Sequence, residues 1–572
     1  MRVVDVELGS GTLTAREVAA VGPIDLAVRD PGCQDALVFG CGPLSTLEVP
    51  GSHRLVVSGW SPLWAGRGIS TIGSAALSLH ALGLRALVLH GRAGPVGRPA
   101  ALVLAGHPVR ARVVEIDAEA AWHKRGAYGL LAAAARLLDE PARVLCVGPG
   151  ARATRFGAIG SASAGSDVFD TWAGRGGFGT QLLGAHGLCA LVLPAGERTR
   201  VGNFVPPDAL EAATVKYRYD PRLKTGGTFG GNMASLREKL LCMNDRSIYW
   251  SPALREAAYE RLVAGHYLAQ FQGDMKGRRG RDCGETCPAD CKKIDQGGHK
   301  KDFQPYQALG PNLGVFDQRA AEAVNDACDE WGLDAVELGG VVALLMEQSG
   351  CAHWDPENFD PVTDSEHNAK LACEIASQVA RGGRGAAGVR ALARSLAGAA
   401  GDAAVYVAHG EAGGMAPNQY WVPGILAPVA VGGRYYVDYS FEFAAPRELG
   451  RRCAERMVRE LALDNLGLCR FQREWAEGRM DELARAARLE VDPLEHHREL
   501  ARALDDAAAP RPWETARTRD LVKSYLDEVA RDGRPDPALS AWRAGFAADR
   551  DAAAGAYWAE LRAGIRERLE ST

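Results

Sequence analysis

Three cysteines lie within nine residues near the middle of the chain: Cys283, Cys287 and Cys291. Gly284 and Pro288 lie between them and disfavour a regular helix, so we expect this segment to be a loop that curls around a centre. Thiolates at such short spacing suit an iron–sulfur cluster or a zinc ion, and both centres want four ligands. The fourth ligand must then come from elsewhere in the sequence. The alternative is three unrelated thiols on a loop.

The chain has 572 residues, which is too long for one hydrophobic core, and we expect about three domains. Hydrophobic residues make up 47% and charged residues 24% of the sequence. These values are typical of a globular protein and argue against a disordered or fibrous chain. The formal net charge of -5 provides no broad basic surface, so nucleic acid is not the expected partner.

The first eight residues alternate like a β-strand and lack the apolar core and cleavage site of a signal peptide. No apolar run is long enough to span a membrane, so no membrane association is expected. The 13 cysteines are an odd number without a secretory signal, which fits reduced thiols in the cytoplasm better than a disulfide framework. We therefore predict a cytoplasmic protein whose clustered cysteines are ligands.

The apolar pattern predicts an α+β fold with three regions. Residues 1–201 contain short β-strands separated by glycine and proline, such as 35–40 and 85–90, with helical patches between them. Residues 202–404 show helical periodicity and contain the cysteine loop, and residues 405–572 are helical again. No internal repeat is evident in the sequence.

Two glycine-rich turns stand out in the β-rich region, at 61–68 and 173–179. Glycine lets backbone amides approach an anion closely, and an arginine in each turn can form two parallel hydrogen bonds to a phosphate. Neither turn is a P-loop, because no Gly-Lys-Ser/Thr follows. Taken alone, each is at least as compatible with a tight structural turn.

The pattern Asp-x-x-Gly-Leu occurs twice, at 329–334 and at 464–469. Each copy follows a helical pattern, where glycine is a common cap, and one copy alone would indicate a helix end. Two copies favour a binding role, because paired aspartates can accept hydrogen bonds from the ring nitrogens of a heterocycle held between two helical lobes. The second copy ends in Cys469, which offers the fourth thiolate for the cysteine loop.

With these motifs the chain resembles the aldehyde ferredoxin oxidoreductase family, which are tungsten enzymes with two pyranopterin ligands. The resemblance covers most of the chain and weakens toward the C-terminus. The segments that match the family are 42–45, 61–63, 174–179, 329–334 and 464–469. Two further segments, 300–311 and 415–424, are similar to the branch with the catalytic subunit of benzoyl-CoA reductase and bacterial aldehyde oxidoreductases.

The resemblance implies an N-terminal β-rich base domain that carries two pterins, covered by two mainly α-helical domains. It implies that Cys283, Cys287, Cys291 and Cys469 hold a 4Fe-4S cluster, with Arg54 between the cluster and a pterin. It also implies a Mg2+ ion that bridges the pterin phosphates, held partly by a backbone carbonyl of the second glycine-rich turn. The positions implied to contact the pterins or their phosphates are Ala173, Gly174, Arg175, Gly176, Asp329, Gly332, Leu333, Asp334, Asp464, Gly467 and Leu468.

Two departures from the family pattern concern the cluster and the proton chemistry. The first gap in the cysteine loop has one residue more than is common in the family. Many relatives carry a glutamate near the segment where this chain has Gln304 and Gln307, and an amide does not take up a proton at neutral pH. His409 and Glu411, in the implied roof of the pocket, are candidate replacements, because the reaction needs a base poised near neutrality. We therefore name Gln307, His409 and Glu411 as candidate catalytic residues, although a lone histidine near a glycine turn is more often structural.

The sequence thus predicts a tungsten oxidoreductase that interconverts an aldehyde and a carboxylic acid. The cofactor supplies the oxygen and hydride chemistry, and the protein supplies a dry pocket and orientation. Because the remaining cysteines are scattered, we expect one cluster, with electrons leaving to ferredoxin or to an iron–sulfur partner subunit; a homo- or hetero-oligomer is compatible with this. One alternative is a reductase of an aromatic or unsaturated acyl-CoA, from the branch resemblance. Another is a non-catalytic scaffold, motivated by Gln304, Gln307 and Ala412.

Overall fold

Two six-stranded sheets form the N-terminal part of the protein. The computed structural model describes residues 1–47, 49–196, 220, 222–275, 283–285, 287, 289, 291–431, 434–435, 437–533 and 535–571, with the backbone alone at 430–431 and 434–435. The strands are short and bounded by glycine or proline, as the sequence predicts.

The first sheet has the strand order β2-β1-β6-β3-β4-β5, and helices α1 (Pro23–Arg29) and α2 (Ala76–Ala81) connect its strands. Only β1 and β6 pair in parallel; the other neighbours are antiparallel. The strands are β1 (Arg2–Glu7), β2 (Thr12–Glu17), β3 (Leu37–Cys41), β4 (Leu55–Ser61), β5 (Gly66–Ile72) and β6 (Ala86–His90).

The second sheet has the order β8-β7-β12-β9-β10-β11, with helices α3 (Ala118–Ala134) and α4 (Phe178–Gly184) between its strands. Again a single pair, β7 with β12, is parallel. The strands are β7 (Ala100–Ala105), β8 (Arg110–Glu115), β9 (Ala142–Val147), β10 (Ile159–Ala162), β11 (Thr171–Ala173) and β12 (Leu188–Pro194).

The two sheets are copies of one topology. Each half runs strand, strand, helix, three strands, helix, strand, with the same neighbours and the same parallel pair. The segments Gly83–Leu89 and Gly187–Leu193, which lead into the last strand of each half, differ only at Arg85 and Cys189. The expectation that the chain has no internal repeat is therefore wrong: the base is a tandem duplication.

The rest of the described chain is mainly helical. The helices are α5 (Gly227–Leu236), α6 (Pro252–Ala258), a π-helix (Tyr259–Tyr267), α7 (Leu268–Met275), α8 (Phe303–Ala308), α9 (Gln318–Trp331), α10 (Ala335–Ser349), α11 (Thr363–Ala380), α12 (Val389–Ser395), α13 (Ala399–Asp402), α14 (Pro446–Leu466), α15 (Arg473–Ala476), α16 (Met480–Ala486), α17 (Pro493–Ala508), α18 (Ala516–Asp532), α19 (Pro537–Ala548) and α20 (Arg550–Glu570). Three two-stranded ribbons lie among them, formed by β13 (Lys293–Ile294) with β14 (Lys300–Lys301), β15 (Val407–His409) with β16 (Gly413–Met415), and β17 (Ala430–Val431) with β18 (Arg434–Tyr435).

The predicted α+β class, with a β-rich base followed by helical domains, is confirmed. One buried hydrophobic cluster lies within the base. Another joins base residues such as Ile24 and Phe156 to buried residues from Phe229 to Leu569, through both predicted helical regions. The boundary predicted after residue 201 lies outside the described residues. The boundary predicted after Ala404 falls inside the second cluster, since Ala404 and Val405 are both buried in it, so the division into two helical domains stays a prediction. None of the described helices has the length and apolar character needed to cross a membrane.

Candidate active site

The first Asp-x-x-Gly-Leu motif ends α9 and packs its backbone against the base. Gly332 adopts the left-handed conformation (φ +66°) and caps the helix. A Cβ atom on Gly148, which follows β9, would lie 2.3 Å from the Trp331 carbonyl oxygen. The Ala158 N–H, at the start of β10, donates to the Gly332 carbonyl at 2.8 Å. Glycine is therefore required on both sides, because only backbone without side chains approaches so closely.

The second motif ends α14 and meets the base in the same way. Gly467 is also left-handed (φ +84°), and a Cβ on Gly42, which follows β3, would lie 2.0 Å from the Leu466 carbonyl carbon. The Arg54 N–H, at the start of β4, donates to the Gly467 carbonyl at 3.2 Å. The duplicated base thus presents one equivalent docking point to each motif, which supports the prediction that the motifs act as a pair.

Asp334 lies at the junction of the first motif, α10 and the second glycine-rich turn. Its side chain is 1% exposed, and Oδ1 accepts hydrogen bonds from the N–H groups of Val336 (3.0 Å) and Glu337 (3.2 Å) and faces Arg175 Nη1 at 3.4 Å. Its other oxygen, Oδ2, is buried and accepts no hydrogen bond from the described residues. Burial raises the pKa of Asp334. A buried acceptor of this kind fits a ligand that brings a hydrogen-bond donor.

Glu337, on the first turn of α10, is a site residue that sequence reasoning missed. It is fully buried, and its two oxygens accept from the N–H groups of Val389 and Ala416, each at 2.7 Å. Arg175 Nη2 donates to the Ala416 carbonyl at 2.6 Å, so Ala416 is held on both sides. Burial, followed by the charge of Asp334, raises the pKa of Glu337 to about 7. Glu337 follows the helix cap residue Asp334 by three positions, as in a capping box, so the sequence alone suggests a local capping role for it.

Of the other motif aspartates, Asp329 is half-buried and Asp464 is buried. Asp329 faces the Tyr128 hydroxyl at 3.4 Å, and burial raises the pKa of Asp329 to about 7. Asp464 is fully buried and accepts from Arg470 Nη2 at 2.9 Å. The leucines of the two motifs, Leu333 and Leu468, are buried beside them.

The second glycine-rich turn follows β11, which ends at Ala173. Ser61 Oγ, from the end of β4, donates to the Gly176 carbonyl at 2.6 Å and so fixes the turn against the first half of the base. A Cβ on Gly174 would meet no atom closer than 3.9 Å, so the space beside this residue is open. The turn therefore brings Arg175 to Asp334 and leaves room next to its backbone.

The four cysteines lie close enough to act on one another electrostatically, and two of them, Cys469 and Cys283, lie near Arg54. Arg54 Nη1 lies 3.5 Å from Cys469 Sγ, and the negative charges of Cys469 and Cys283 both favour its charged form. Burial raises the pKa of Cys283 to about 11 and that of Cys287 to about 12, and it also raises the pKa of Cys291. The charge of Cys469 adds to the rise at all three. Thiols that suppress one another's ionisation in this way are suited to a positively charged centre.

Glu285, inside the cysteine loop, anchors the loop to the base and was also missed. It is 2% exposed; one oxygen accepts from the His53 N–H at 3.0 Å and the other from the Ser74 N–H at 2.8 Å. These amides flank the open end of the β4–β5 hairpin. Ser74 Oγ donates in turn to the Cys283 carbonyl at 2.8 Å. The longer first gap between the cysteines therefore accommodates an anchoring carboxylate.

The structure does not bring the three candidate catalytic residues together. Gln307 is buried in α8, where Nε2 donates to the Leu241 carbonyl at 2.8 Å. His409 is buried against Trp64, with 3.9 Å between ring centroids. Glu411 lies on the exposed turn between β15 and β16; its side chain is 92% exposed and is paired with an arginine. A base for a dry pocket is not expected at such an exposed position.

His409 differs from the expectation of a base poised near neutrality. Burial lowers the pKa of His409 to about 3, because removal from water disfavours the imidazolium ion. Nδ1 lies 3.2 Å from the Ala508 carbonyl oxygen, which fits a neutral ring that donates from Nδ1. In this position the imidazole is neutral at physiological pH and packs as part of the core.

Glu514 holds the β15–β16 hairpin through a buried arginine. Its carboxylate accepts from Arg390 Nη2 (2.6 Å), Arg394 Nη2 (2.8 Å) and the Tyr406 hydroxyl (2.9 Å). Arg390 Nη1 also donates to the His409 carbonyl at 2.9 Å. The carboxylate of Glu514 thus holds, through Arg390, the hairpin that carries His409.

This network predicts a specific loss of acid stability. Although burial opposes ionisation, the hydrogen bonds from Arg390 and Tyr406 lower the pKa of Glu514 from 4.5 to about 2. Because the folded pKa is depressed, the carboxylate stabilises the fold above its unfolded pKa. This contribution, on the order of 1–2 kcal/mol for a partly exposed and therefore screened carboxylate, is lost as pH falls toward 2. We expect Glu514→Gln to lower the free energy of unfolding at neutral pH and to flatten its acid-side decline. Urea unfolding over a pH series measures this, with the exposed Glu366→Gln as control; the same decline in Glu514→Gln and wild type would contradict it.

One cluster of two carboxylates and a histidine outside this site has the residue types of a metal centre. Ligand atoms of Asp295, His299 and Glu322 lie within 4.8 Å of one another. Lys301, 1% exposed, places its ammonium 3.3 Å from Asp295 and in contact with Glu322. The cluster therefore already contains its cation, and we assign it no metal.

Comparison with known proteins agrees with the predicted family. Residues 8–195 match the N-terminal domain of aldehyde ferredoxin oxidoreductase, and residues 216–493 match its domains 2 and 3. The chain belongs to the aldehyde ferredoxin oxidoreductase family. It is an oxidoreductase of the aldehyde:ferredoxin type, and membership implies a tungsten–pterin cofactor.

Individual relatives show how far the similarity extends. The chain is 30% identical over 577 residues to the glyceraldehyde-3-phosphate:ferredoxin oxidoreductase of Pyrococcus furiosus, and the match covers 87% of each protein. It is 26% identical over 333 residues to a tungsten-containing aldehyde ferredoxin oxidoreductase of Pyrococcus abyssi, covering 55% of this chain and 50% of that protein. Among solved structures, a chain from the active site complex BamBC of benzoyl coenzyme A reductase, in complex with 1,5-dienoyl-CoA, matches with a TM-score of 0.60. Its identity is 16%, over 100% of this chain and 99% of that chain, which establishes a common fold.

Proposed function

We propose that this protein oxidises an aldehyde to a carboxylic acid at tungsten held by two pterins. In this proposal, electrons leave through one 4Fe-4S cluster to a ferredoxin or an iron–sulfur partner subunit. The observation that carries the proposal is the position of Cys469: it ends the second Asp-x-x-Gly-Leu motif and lies against Arg54 with the thiols of the cysteine loop. In this proposal Cys469 is both a cluster ligand and the last residue of a motif that contacts a pterin.

The residues present fit the implied groups. Asp334 offers a buried acceptor oxygen to a pterin donor, and Arg175 is placed to bind phosphate beside the open space at Gly174. The backbone from Ala173 would help to hold the bridging Mg2+. When bound, the tungsten–pterin unit supplies the redox chemistry at the substrate carbon, while the chain positions the substrate and excludes water.

A second candidate function is the reduction of an unsaturated or aromatic acyl-CoA. It is favoured by the full-length structural match to a chain of the benzoyl coenzyme A reductase complex. The third candidate, a scaffold without catalysis, would not need four half-buried cysteines close together or two motif glycines packed directly against the backbone of the base. We therefore rank it below the two enzymatic candidates.

Metal analysis and substrate assays of anaerobically purified protein test the proposal. We expect about four irons and one tungsten per chain, reduction of a viologen dye with aldehydes, and no turnover of acyl-CoA thioesters. Acyl-CoA reduction without aldehyde oxidation would transfer the assignment to the second candidate. Protein from a host able to make the cofactor that contains neither tungsten nor molybdenum would favour the scaffold.

A further inference from the structure

Gln472 connects two of the candidate cluster cysteines. It ends a short 3-10 turn, Arg470–Gln472, that begins directly after Cys469, and its backbone N–H donates to the Cys469 carbonyl at 2.9 Å. Its side-chain Nε2 donates to Cys287 Sγ, in the cysteine loop, at 3.2 Å. Gln472 is fully buried. One residue therefore joins the cysteine of the second motif to a cysteine of the loop.

The orientation of the Gln472 amide is set by Trp475, on α15. Trp475 Nε1 donates to Gln472 Oε1 at 2.9 Å, and the indole is also buried. An indole nitrogen can donate a hydrogen bond but cannot accept one, so the oxygen end of the amide must face it. The nitrogen end is thereby left for Cys287, and the sulfur atom faces an N–H group rather than an oxygen lone pair.

The segment before β4 packs against Gln472 from the base. Gly51 adopts the left-handed conformation (φ +75°), and a Cβ atom on it would lie 3.1 Å from Gln472 Cγ and 3.1 Å from Cys469 Cβ. The Cys469 N–H donates to the Gly51 carbonyl at 2.8 Å. A buried amide that is packed in this way and hydrogen-bonded at both ends is held in one orientation.

Cys287 also receives a hydrogen bond from its own loop. The Ala289 N–H lies 3.5 Å from Cys287 Sγ, which is a longer distance than that from Gln472 Nε2. The loop bond comes from the backbone, whereas the bond from Gln472 comes from a side chain in the C-terminal part of the protein. A side-chain substitution can therefore remove the second bond and leave the first in place.

Hydrogen bonds to the ligand sulfurs help to set the reduction potential of an iron–sulfur cluster. Reduction adds one negative charge to the cluster and its sulfur atoms. An N–H group directed at a sulfur therefore stabilises the reduced state more than the oxidised state. Because Gln472 is buried, water screens this interaction little. The expected effect of its N–H is a higher reduction potential.

We propose that the Gln472 amide raises the reduction potential of the 4Fe-4S cluster through its hydrogen bond to Cys287, and that Trp475 positions this amide. The inference rests on the cluster assignment of the proposed function. One electron enters the cluster from aldehyde oxidation, and the same electron leaves to a ferredoxin-type protein or a viologen dye. No covalent bond forms or breaks at Gln472. A higher potential favours the uptake of the electron and makes the cluster a weaker reductant for the acceptor.

The test is a redox titration of wild type, Gln472→Met, Trp475→Phe and the double variant. Each protein is purified anaerobically, its iron content is measured, and the EPR signal of the reduced cluster is followed as dithionite is added with redox mediators. We expect Gln472→Met to make the one-electron reduction about tenfold less favourable, a fall of about 59 mV in midpoint potential, because methionine has a similar length but no hydrogen to donate.

The tryptophan variants test whether Trp475 acts through Gln472. Trp475→Phe should lower the potential by less than Gln472→Met, because the amide is then free to present either end to Cys287. The double variant should have the same potential as Gln472→Met, since without the amide Trp475 has nothing to orient. A purely structural role of Trp475 would instead add its effect to that of Gln472→Met.

Gln348→Met and Trp60→Phe are the matched controls. Gln348, at the end of α10, is exposed, and its Nε2 donates to the Ala400 carbonyl. Trp60, on β4, has a side chain that is 53% exposed. Both controls remove the same chemical groups as the test variants, and we expect neither to change the midpoint potential.

Isotope labelling gives a readout that does not depend on the potential. Glutamine carrying nitrogen-15 in its side chain allows the contact to be followed by hyperfine spectroscopy of the reduced cluster. We expect a nitrogen-15 coupling across the hydrogen bond in the wild type and in Gln348→Met. The same coupling should be absent from Gln472→Met.

The outcomes separate this inference from the proposed function. A Gln472→Met protein with full iron content and the midpoint potential of the wild type would overturn the role of Gln472 alone. If Gln472→Met loses its iron, Trp475→Phe decides: a lowered potential supports the proposal, and an unchanged one overturns it. Wild type that holds the cluster but oxidises no aldehyde would remove the proposed reaction and leave this inference standing. Wild type without iron would remove both.

Discussion

Replacing Cys287 with alanine is expected to remove the cluster and, with it, electron transfer to the external acceptor. A 4Fe-4S cluster needs its thiolate ligands, and binding it would make the ionisation of these half-buried thiols favourable. Cys287 is also the thiol that receives a hydrogen bond from Gln472 Nε2, at 3.2 Å. We expect iron to fall from about four atoms per chain toward zero, while tungsten is largely retained, because its ligands are the pterins.

The measurement is iron and tungsten content together with viologen reduction. Cys351→Ala is the matched control, since Cys351 is exposed and distant in sequence from the four cysteines. Full iron content in Cys287→Ala would refute the assignment of the cluster to this loop. Iron loss in the control as well would show that the assay reports general damage.

Replacing Glu337 with alanine is expected to cost both stability and activity. The N–H groups of Val389 and Ala416 would lose their acceptors while remaining buried, at about 1–3 kcal/mol each. The Ala416 carbonyl would keep its hydrogen bond from Arg175, which also faces Asp334, but the Ala416 N–H would lose its bond to Glu337. Glu337→Gln should be intermediate, because one amide oxygen can accept one N–H while its NH2 group opposes the other.

The urea midpoint and kcat/KM measure these two effects. Glu366→Ala, on the exposed side of α11, controls for the loss of a carboxylate on a helix. A Glu337→Ala protein with the urea midpoint of the wild type would show that the two N–H groups find other partners. Lost stability with unchanged kcat/KM would show that the position of Ala416 does not matter for the reaction.

The sequence predicted those parts of the site whose chemistry is local. A glycine that caps a helix, a short cysteine spacing and a motif present twice can be recognised without knowing the fold, and the base and the helical region follow from strand and helix periodicity. The duplication of the base was missed because the clearest identity between its halves is confined to Gly83–Leu89 and Gly187–Leu193. Elsewhere the same topology is built from different residues.

The residues that were missed acquire their chemistry through burial. Glu337 looks like a helix N-terminal residue, and Glu285 looks like a spacer between ligands. Each becomes distinctive only when distant segments remove it from water. His409 shows the converse: its residue type suggests a base, but its surroundings keep the ring neutral.

The duplicated base also bears on the direction of electron flow. Its halves place equivalent backbone amides, of Ala158 and Arg54, on the two motif glycines, Gly332 and Gly467. A base with two fully equivalent halves would treat the two motifs alike. The two halves differ at two of these positions. The last motif residue is Asp334 in one copy and Cys469 in the other. The residue whose N–H binds the motif glycine is Ala158 in one half and Arg54 in the other, and the Arg54 side chain reaches the sulfur atom of Cys469. Under the proposed cluster assignment, these two differences place the cluster, and the exit of electrons, at only one of the two motifs.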